Sequence, residues 1–214
     1  MPNGGRDQRA LVQILETARD RGFLGPGDLG RHLAHAEGFV EVVETAQQGA
    51  PASFCDLGSG GGLPGLVLAT CWPDARGALI DANARRCAFL REGVALLAAD
   101  GRIRVIEGRA EEIAHDPDHR EQYEVVVARS FAGPAPTAEI ATGLVRVGGV
   151  VVVSEPPGGE PRRWPEEHLA ELGLGAARVT VVGARGSYAL MRKDAIAPRG
   201  FPRAVGRPVK RPLW

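Results

Sequence analysis

The chain contains, from Phe54 to Gly65, the segment Phe-Cys-Asp-Leu-Gly-Ser-Gly-Gly-Gly-Leu-Pro-Gly, in which a short apolar run leads into a glycine-dense turn. Glycine permits positive φ and close approach of a ligand, so this density predicts a nucleotide-binding turn between a strand and a helix. The spacing Gly60-x-Gly62-x-x-Gly65 satisfies the dinucleotide fingerprint, which is a weak signal by itself. Asp56 favours S-adenosylmethionine (SAM) over a dinucleotide, because a carboxylate there would repel a pyrophosphate and attract the ammonium group of SAM. A tight turn that binds no ligand is the remaining alternative.

Length and composition predict one domain of ordinary size with a small appendage. The chain has 214 residues, 44% hydrophobic, and a formal net charge of zero. Gross charge therefore gives no sign of a nucleic-acid partner. Cations nevertheless cluster at the C-terminus, where Asp194 is the single acid; they are Arg192, Lys193, Arg199, Arg203, Arg207, Lys210 and Arg211. This segment is interpreted either as a solvated, partly disordered tail or as a basic arm that contacts phosphates.

Cysteine usage and the apolar runs predict a cytoplasmic protein. The three cysteines, Cys55, Cys71 and Cys87, form no Cys-x-x-Cys pair, so neither a disulfide framework nor a zinc site is expected. The first six residues carry no apolar signal core. The longest apolar run, near Val150–Val153, is too short to span a bilayer.

The pattern of elements changes near residue 51. Residues 1–50 predict a helical N-terminal cap, with helices over Arg6–Arg21 and from Asp28 to about Gln48. Residues 51–192 alternate between strands and helices, and residues 193–214 form the basic tail. The predicted strands are Ser53–Leu57, Ala75–Asp81, Ile103–Glu107, Tyr123–Ala128, Val150–Ser154, Ala177–Val182 and Ser187–Met191. The predicted helices between them are Pro64 to about Cys71, Ala84–Ala98, Thr137–Val147 (closed by Gly148 and Gly149) and Pro165–Leu172. This order predicts an α/β fold with a doubly wound, mostly parallel, seven-stranded sheet.

Three further positions follow predicted strands, where ligands of such sheets bind. Asp81 is placed to accept hydrogen bonds from ribose hydroxyls, although a helix N-cap is an equally compatible role. Ala110 and Glu111 follow the third strand and are placed to border an adenine, or else to begin a helix. Arg129 ends the fourth strand, where its guanidinium could hold a phosphate or a base edge.

His32 and His35 lie one helical turn apart, but without a third ligand a packing role is favoured over a metal site.

Several segments together resemble the RsmG (GidB) family, the 16S ribosomal RNA guanine-N7 methyltransferases. The added Leu-Pro-Gly65 distinguishes the glycine motif from generic SAM motifs. The other matching segments are Arg31-His-Leu33, Leu79-Ile-Asp-Ala-Asn-Ala-Arg-Arg-Cys-Ala-Phe-Leu90, Gly108-Arg-Ala-Glu-Glu112, Ala128-Arg-Ser-Phe-Ala132 and the tail Pro202-Arg203 to Leu213. The resemblance runs from about residue 28 to the C-terminus and is strongest in the middle.

The resemblance implies a class I, Rossmann-like SAM-dependent methyltransferase that modifies N7 of a guanine in 16S ribosomal RNA. The implied partner is ribosomal RNA or the small ribosomal subunit, with no membrane, no metal and a monomeric state. The implied SAM-binding residues are Asp56, Gly58, Gly60, Leu63, Asp81, Ala110, Glu111 and Arg129. Arg109 and Arg129 are the implied catalytic residues, which would face the RNA or the transfer site. The alternatives are another RNA or small-molecule acceptor, a non-catalytic SAM- or RNA-binding module and, more distantly, a dinucleotide oxidoreductase.

The chain departs from the family pattern in three places. The family's His-x-x-Asp-Ser is replaced by His32-Leu-Ala-His35-Ala36. The Asn-rich stretch before the Arg-His helix is replaced by Arg19–Gly27, and the Lys-Gly pair after the fifth strand is replaced by Glu155-Pro156. An acid in place of a lysine predicts weaker binding of an RNA phosphate there.

Overall fold

A seven-stranded sheet forms the centre of the molecule, and its strands follow the spatial order β3-β2-β1-β4-β5-β7-β6. The structure is a computed structural model that describes the backbone of residues 4–214, with side chains from residue 8 onward. The strands are β1 (Ser53–Leu57), β2 (Arg76–Asp81), β3 (Ile103–Glu107), β4 (Tyr123–Ala128), β5 (Val145–Glu155), β6 (Arg178–Val182) and β7 (Gly186–Arg192). β7 runs antiparallel to both of its neighbours, and the other pairs are parallel. The predicted doubly wound, mostly parallel sheet is confirmed.

Helices cover both faces of the sheet. They are α1 (Gly4–Asp20), α2 (Leu29–Gln47), α3 (Gly65–Cys71), α4 (Ala84–Leu96), α5 (Ala110–Ile113), α6 (Pro134–Thr142), α7 (Glu166–Glu171) and α8 (Arg207–Lys210). Successive strand residues point to opposite faces, so in β4 Val125 packs with the core of α1 to α4 and Val126 packs with the core of α5 to α7. Because both faces are covered, the central strands read as continuous apolar runs. No helix in residues 4–214 has the length and apolarity needed to cross a bilayer.

One predicted helix has the wrong bounds. The sequence predicts a helix over Thr137–Val147, but α6 ends at Thr142 and Val145 already belongs to β5. β-branched Val145 fits the extended strand, where it lies opposite Tyr123. Gly148, with a φ of +83°, does not cap a helix; it lies where the register between β4 and β5 shifts.

The N-terminal cap lies directly on the glycine turn. Asp28 caps α2 by accepting a hydrogen bond from the Arg31 N–H at 3.0 Å, as the sequence predicts. A Cβ added to Gly61 would lie 2.7 Å from the carbonyl oxygen of Phe23. The loop before α2 therefore approaches the turn more closely than any residue other than glycine would permit.

The C-terminal segment 193–214 is packed onto the domain, which rules out the partly disordered interpretation for this structure. Arg203 reaches the fully buried Glu139 of α6, with Nη2 to Oε2 at 2.6 Å and Nε to Oε1 at 2.9 Å. Near the chain end, the indole N–H of Trp214 donates to the carbonyl oxygen of Arg163 at 2.9 Å. The tail is thereby held at more than one point.

Replacing Arg203→Ala should lower the free energy of unfolding by about 2 kcal/mol. Glu139 would remain buried without its cation. Breaking an ion pair in which both partners are fully buried costs about 3–5 kcal/mol. The expected loss is smaller here because Arg203 is partly exposed to solvent. Urea denaturation measures the loss. Arg199→Ala, an exposed arginine of the same segment, is the matched control; equal stability of the two variants would contradict a structural role for the Arg203–Glu139 pair.

Candidate active site

The glycine turn between β1 and α3 has a backbone that other residues would not adopt easily. Gly58, Gly60 and Gly62 have φ values of +76°, +53° and +92°. A Cβ on Gly58 would also lie 2.5 Å from the ring of Phe131, so the space above this glycine is already filled. The turn lies at the carboxyl end of β1, the edge at which sheets of this kind bind ligands.

Asp56 lies behind the glycine turn and has no exposed surface. Its Oδ2 accepts the Gly65 N–H at 2.9 Å, and Oδ1 has no hydrogen-bond partner among residues 8–214. Burial raises the pKa of Asp56 to about 7, against the opposing effects of the Gly65 N–H and the Arg129 guanidinium. Asp56 therefore holds the start of α3, and its predicted attraction of the SAM ammonium group stays a prediction.

A cavity of about 260 Å³ opens beside Asp81, and it is called the Asp81 cavity below. Asp81 is 7% exposed; its Oδ2 accepts the Gly60 N–H at 2.9 Å and its Oδ1 accepts the Asn83 N–H at 2.8 Å. Each carboxylate oxygen has a second lone pair, so both can still accept a hydroxyl from the cavity. The bonds to Gly60 and Asn83 are therefore compatible with the predicted ribose role. The alternative role of helix N-cap is wrong for Asp81, because Asn83 caps α4 by accepting from the N–H groups of Arg85 and Arg86.

The opposite wall of the Asp81 cavity contains Ala110 and Glu111, at the start of α5. Burial would raise the pKa of Glu111, but the N–H of Gly206 at 2.9 Å and the guanidinium of Arg109 outweigh it and lower that pKa. Arg109 is half exposed, with Nη2 3.4 Å from Glu111 Oε1, and lines this same cavity. The structure thus separates Arg109 from Arg129, the other predicted catalytic arginine.

A second cavity, of about 360 Å³, lies between the N-terminal cap and the glycine turn, and it is called the Arg129 cavity. Leu63 and Gly60 line it on the turn side, and His32 lines it on the cap side. Gly58, Arg86 and Ser130 line both cavities, so the two spaces adjoin each other. Ser130, with a φ of +52°, is a non-glycine residue in the left-handed region, a conformation that concentrates at functional sites.

Arg129 is held in place by His32. Its Nη2 lies 2.6 Å from Nδ1 of His32, while Nε2 of His32 lies 3.2 Å from the carbonyl oxygen of Gly25. Because the carbonyl can only accept, Nε2 carries the proton and Nδ1 accepts from the guanidinium. Nη1 of Arg129 is buried and has no hydrogen-bond partner among residues 8–214. Burial lowers the pKa of Arg129, although Asp56 and Tyr188 act in the opposite direction.

The two histidines of α2 do not form a metal site with each other. His32 bonds to Arg129 and Gly25, whereas His35 packs against Phe39 and Tyr188, with ring centroids 5.8 and 5.2 Å away. Burial lowers the pKa of His35 to about 4, with Arg129 and His32 adding to the effect. Within the described part of the chain, no group of three or more His, Cys, Asp or Glu side chains could hold a metal ion.

Glu155 does not present an acid to an acceptor, which corrects the prediction made from its sequence position. It is 7% exposed, and its Oε2 lies 2.6 Å from Nη1 of Arg163. Its Oε1 accepts the indole N–H of Trp164 at 3.1 Å. The charge reversal relative to the family pattern is therefore compensated inside the molecule.

Three contributors to the two cavities were not among the predicted site residues. Phe131 covers Gly58, the Phe23–Gly25 loop closes the Arg129 cavity, and Val209 of α8 lines the Asp81 cavity. Phe131 lies within a segment that matched the family. The other two reach the site through contacts distant in sequence, which no local pattern records.

Comparisons with known proteins identify the family. The family model described as rRNA small subunit methyltransferase G matches residues 24–155. This chain belongs to the rRNA small subunit methyltransferase G family. The proteins named ribosomal RNA small subunit methyltransferase G from Moorella thermoacetica and Roseiflexus sp. are 34% and 37% identical to it, over 76% and 77% of this chain and 70% and 72% of theirs. The protein of the same name from Thermotoga neapolitana is 32% identical and covers 96% of this chain and 89% of its own length.

Solved structures show the same fold at low identity. The O-methyltransferase TomG from Streptomyces achromogenes, solved with SAM, has a TM-score of 0.58 at 18% identity and covers 87% of this chain and 90% of its own. An O-methyltransferase from Bacillus cereus, solved with S-adenosylhomocysteine, has a TM-score of 0.57 at 16% identity, over 86% and 89% of the two chains. The recognised family, the class I methyltransferase fold and the prediction of a SAM-dependent methyltransferase are confirmed.

The residues that line the Asp81 cavity fit SAM. Asp81 offers two acceptor oxygens at one end of its cavity, as a vicinal diol requires, and Ile80, Ile140 and Phe131 supply apolar surface for a base. The remainder of the molecule would extend toward Gly58 and Ser130, which line both cavities.

Replacing Asp81→Ala should weaken SAM binding about tenfold to a hundredfold, the loss expected when hydrogen bonds to a charged group are removed. Isothermal calorimetry measures the affinity, and Asp74→Ala, an exposed acid outside both cavities, is the control. Because Asp81 also anchors Gly60, the thermal unfolding of both variants is compared without SAM. An unchanged affinity would remove Asp81 from the ribose.

Proposed function

We propose that this protein transfers the methyl group of SAM to N7 of a guanine in 16S ribosomal RNA, in the cytoplasm. The observation that carries the proposal is the position of Arg129, which lines a cavity that adjoins the Asp81 cavity. A donor in one cavity and an acceptor in the other would meet near Gly58 and Ser130, which line both. The names of the relatives supply the ribosomal RNA part of the proposal.

On the donor side, the chain binds and orients. SAM supplies a methyl group that is already activated for transfer by its sulfonium. Asp81 accepts the ribose hydroxyls, Ala110 and Glu111 border the adenine, and the backbone of Gly58 and Gly60 leaves room for the methionine portion. Fixing the donor in this way contributes to the rate mainly by removing its freedom of movement.

On the acceptor side, Arg129 positions the base. Guanine presents the O6 acceptor next to N7 in its major-groove edge. Because Arg129 lines the cavity beside the Asp81 cavity, its guanidinium can donate to O6 and leave the lone pair of N7 directed at the donor. Since N7 carries no proton, the reaction requires no general base. His32, through its contact with Nη2, keeps the guanidinium in this orientation and acts as a positioning residue.

Half-exposed Arg109 is proposed to contact the RNA backbone near the mouth of the Asp81 cavity rather than the reacting atoms. Arginine at such a position supplies a charge-assisted hydrogen bond to phosphate without a role in the chemical step.

Transfer of tritiated methyl from SAM to small ribosomal subunits tests the proposal, using subunits from a strain that lacks the family's enzyme. We expect label on N7 of a single guanine when the modified base is mapped. Deproteinised 16S RNA serves as a second substrate and distinguishes naked RNA from the assembled particle. Label on another nucleotide would overturn the guanine assignment, and SAM binding without label on either substrate would indicate a different acceptor or a binding module.

A further inference from the structure

The C-terminal segment Arg203–Arg211 lies against the open side of the Asp81 cavity. Its Gly206 N–H donates to Oε1 of Glu111 at 2.9 Å, and Val209 lines the cavity together with Glu111 and Ile140. These tail residues lie outside residues 24–155, the part of the chain that the family model matches. The family model therefore says nothing of how the tail packs against this cavity.

Several contacts hold this segment in place. Arg203 pairs with the buried Glu139, the imidazole of His115 lies 2.7 Å from the carbonyl oxygen of Pro202, and Arg120 donates to the carbonyl oxygen of Phe201 at 3.0 Å. These anchors fix the chain before it reaches α8. The location of Val209 therefore follows from the packing of the domain.

Val209 is an apolar side chain in a strongly basic segment. It is 57% exposed and lies between the exposed cations Arg207 and Lys210. The segment carries a second exposed valine, Val205, which is 45% exposed and does not line the Asp81 cavity. The two valines share residue type, segment and exposure, and they differ in which surface they face.

We propose that the C-terminal segment forms one wall of the donor site, with Val209 packed against the adenine of SAM. This inference rests on the proposed function, because it takes SAM as the occupant of the Asp81 cavity. Ile140 and Phe131 line the same cavity and supply further apolar surface for the flat base. Binding of SAM would then cover the valine that is exposed in the free protein, and donor affinity would depend on the tail.

Calorimetry with SAM and the full-length chain tests this wall. Val209→Asp should weaken SAM binding about tenfold or more, because the base would be placed against a charge that loses water. Val209→Thr, which keeps the volume and adds a hydroxyl, should weaken it by a smaller factor. Val205→Asp introduces the same charge into the same segment and should leave the affinity unchanged.

The outcomes separate this inference from the proposed function. If Val209→Asp and Val209→Thr both bind SAM with wild-type affinity, Val209 does not pack against the adenine and this inference is wrong. The proposed function is unaffected by that result, because the wild type still binds SAM. Equal weakening by Val205→Asp and Val209→Asp also overturns this inference, since the effect would then come from charge alone. Absence of SAM binding in the wild type overturns both. Thermal unfolding without SAM checks that each variant is folded; if Val209→Asp is not, the affinity of Val209→Thr decides.

Discussion

Replacing Arg129→Ala should lower the rate of methyl transfer about a hundredfold to a thousandfold, the loss typical of removing one hydrogen-bond donor directed at a reacting group. The reason is the loss of the guanidinium that is proposed to donate to guanine O6 in the Arg129 cavity. Single-turnover transfer to small ribosomal subunits at saturating SAM measures the effect. SAM affinity, measured by calorimetry, should change little, because the Asp81 cavity remains intact.

The matched control for Arg129 is Arg76→Ala, which removes an exposed arginine at the opposite end of the strands. A loss of SAM affinity in Arg129→Ala that equals the loss of rate would assign Arg129 to the donor instead.

Replacing His32→Gln keeps an acceptor near Nη2 and should retain more activity than His32→Ala, if His32 acts by orienting the guanidinium.

Replacing Asp56→Asn should flatten the dependence of stability on pH. The pKa of Asp56 rises from 3.8 to about 7 on folding because the carboxyl is buried. A carboxyl with a raised folded-state pKa adds stability that is fully present below the unfolded pKa and is lost as the pH rises through the folded pKa. The wild type should therefore lose about 3 kcal/mol relative to Asp56→Asn between about pH 4.5 and about pH 7.5.

Urea denaturation of both proteins across that range measures the difference. Asp74→Asn, at an exposed position, should follow the wild-type curve. Parallel curves for the wild type and Asp56→Asn would mean that Asp56 keeps its ordinary pKa in the folded protein. In that case a charged Asp56 would again be a candidate for attracting the ammonium group of SAM.

The fold could be predicted from the sequence wherever the signal is local. The strand, glycine turn and helix of residues 53–71 follow from alternating strand and helix patterns and from turn chemistry, and the predicted Ile103–Glu107 and Tyr123–Ala128 strands match β3 and β4. The prediction of a helix over Thr137–Val147 was wrong at its C-terminal end, because the apolar spacing of that stretch also fits the start of a strand. The pairing of Val145 with Tyr123 decides its structure, and that contact is not encoded locally.

The site could be predicted as a set of positions but not as an arrangement. Asp81, Ala110 and Arg129 follow predicted strands, and parallel strands bring their carboxyl ends to one edge. Burial is a property of the whole fold, so the sequence did not reveal that Asp56 lies behind the turn. Likewise, only the folded chain brings Val209 to Glu111 and Phe23 to Gly61, each from a distant part of the sequence.

The pairing of Glu155 with Arg163 restricts how these two positions can change over generations. A lysine at position 155, as in the family pattern, would place two cations together in a largely enclosed space if Arg163 were retained. A neutral residue at position 163 would leave the glutamate enclosed without a counter-charge. Each single replacement is therefore expected to destabilise the protein and to be selected against. The two positions should covary among related sequences, so that a sequence that differs at one also differs at the other.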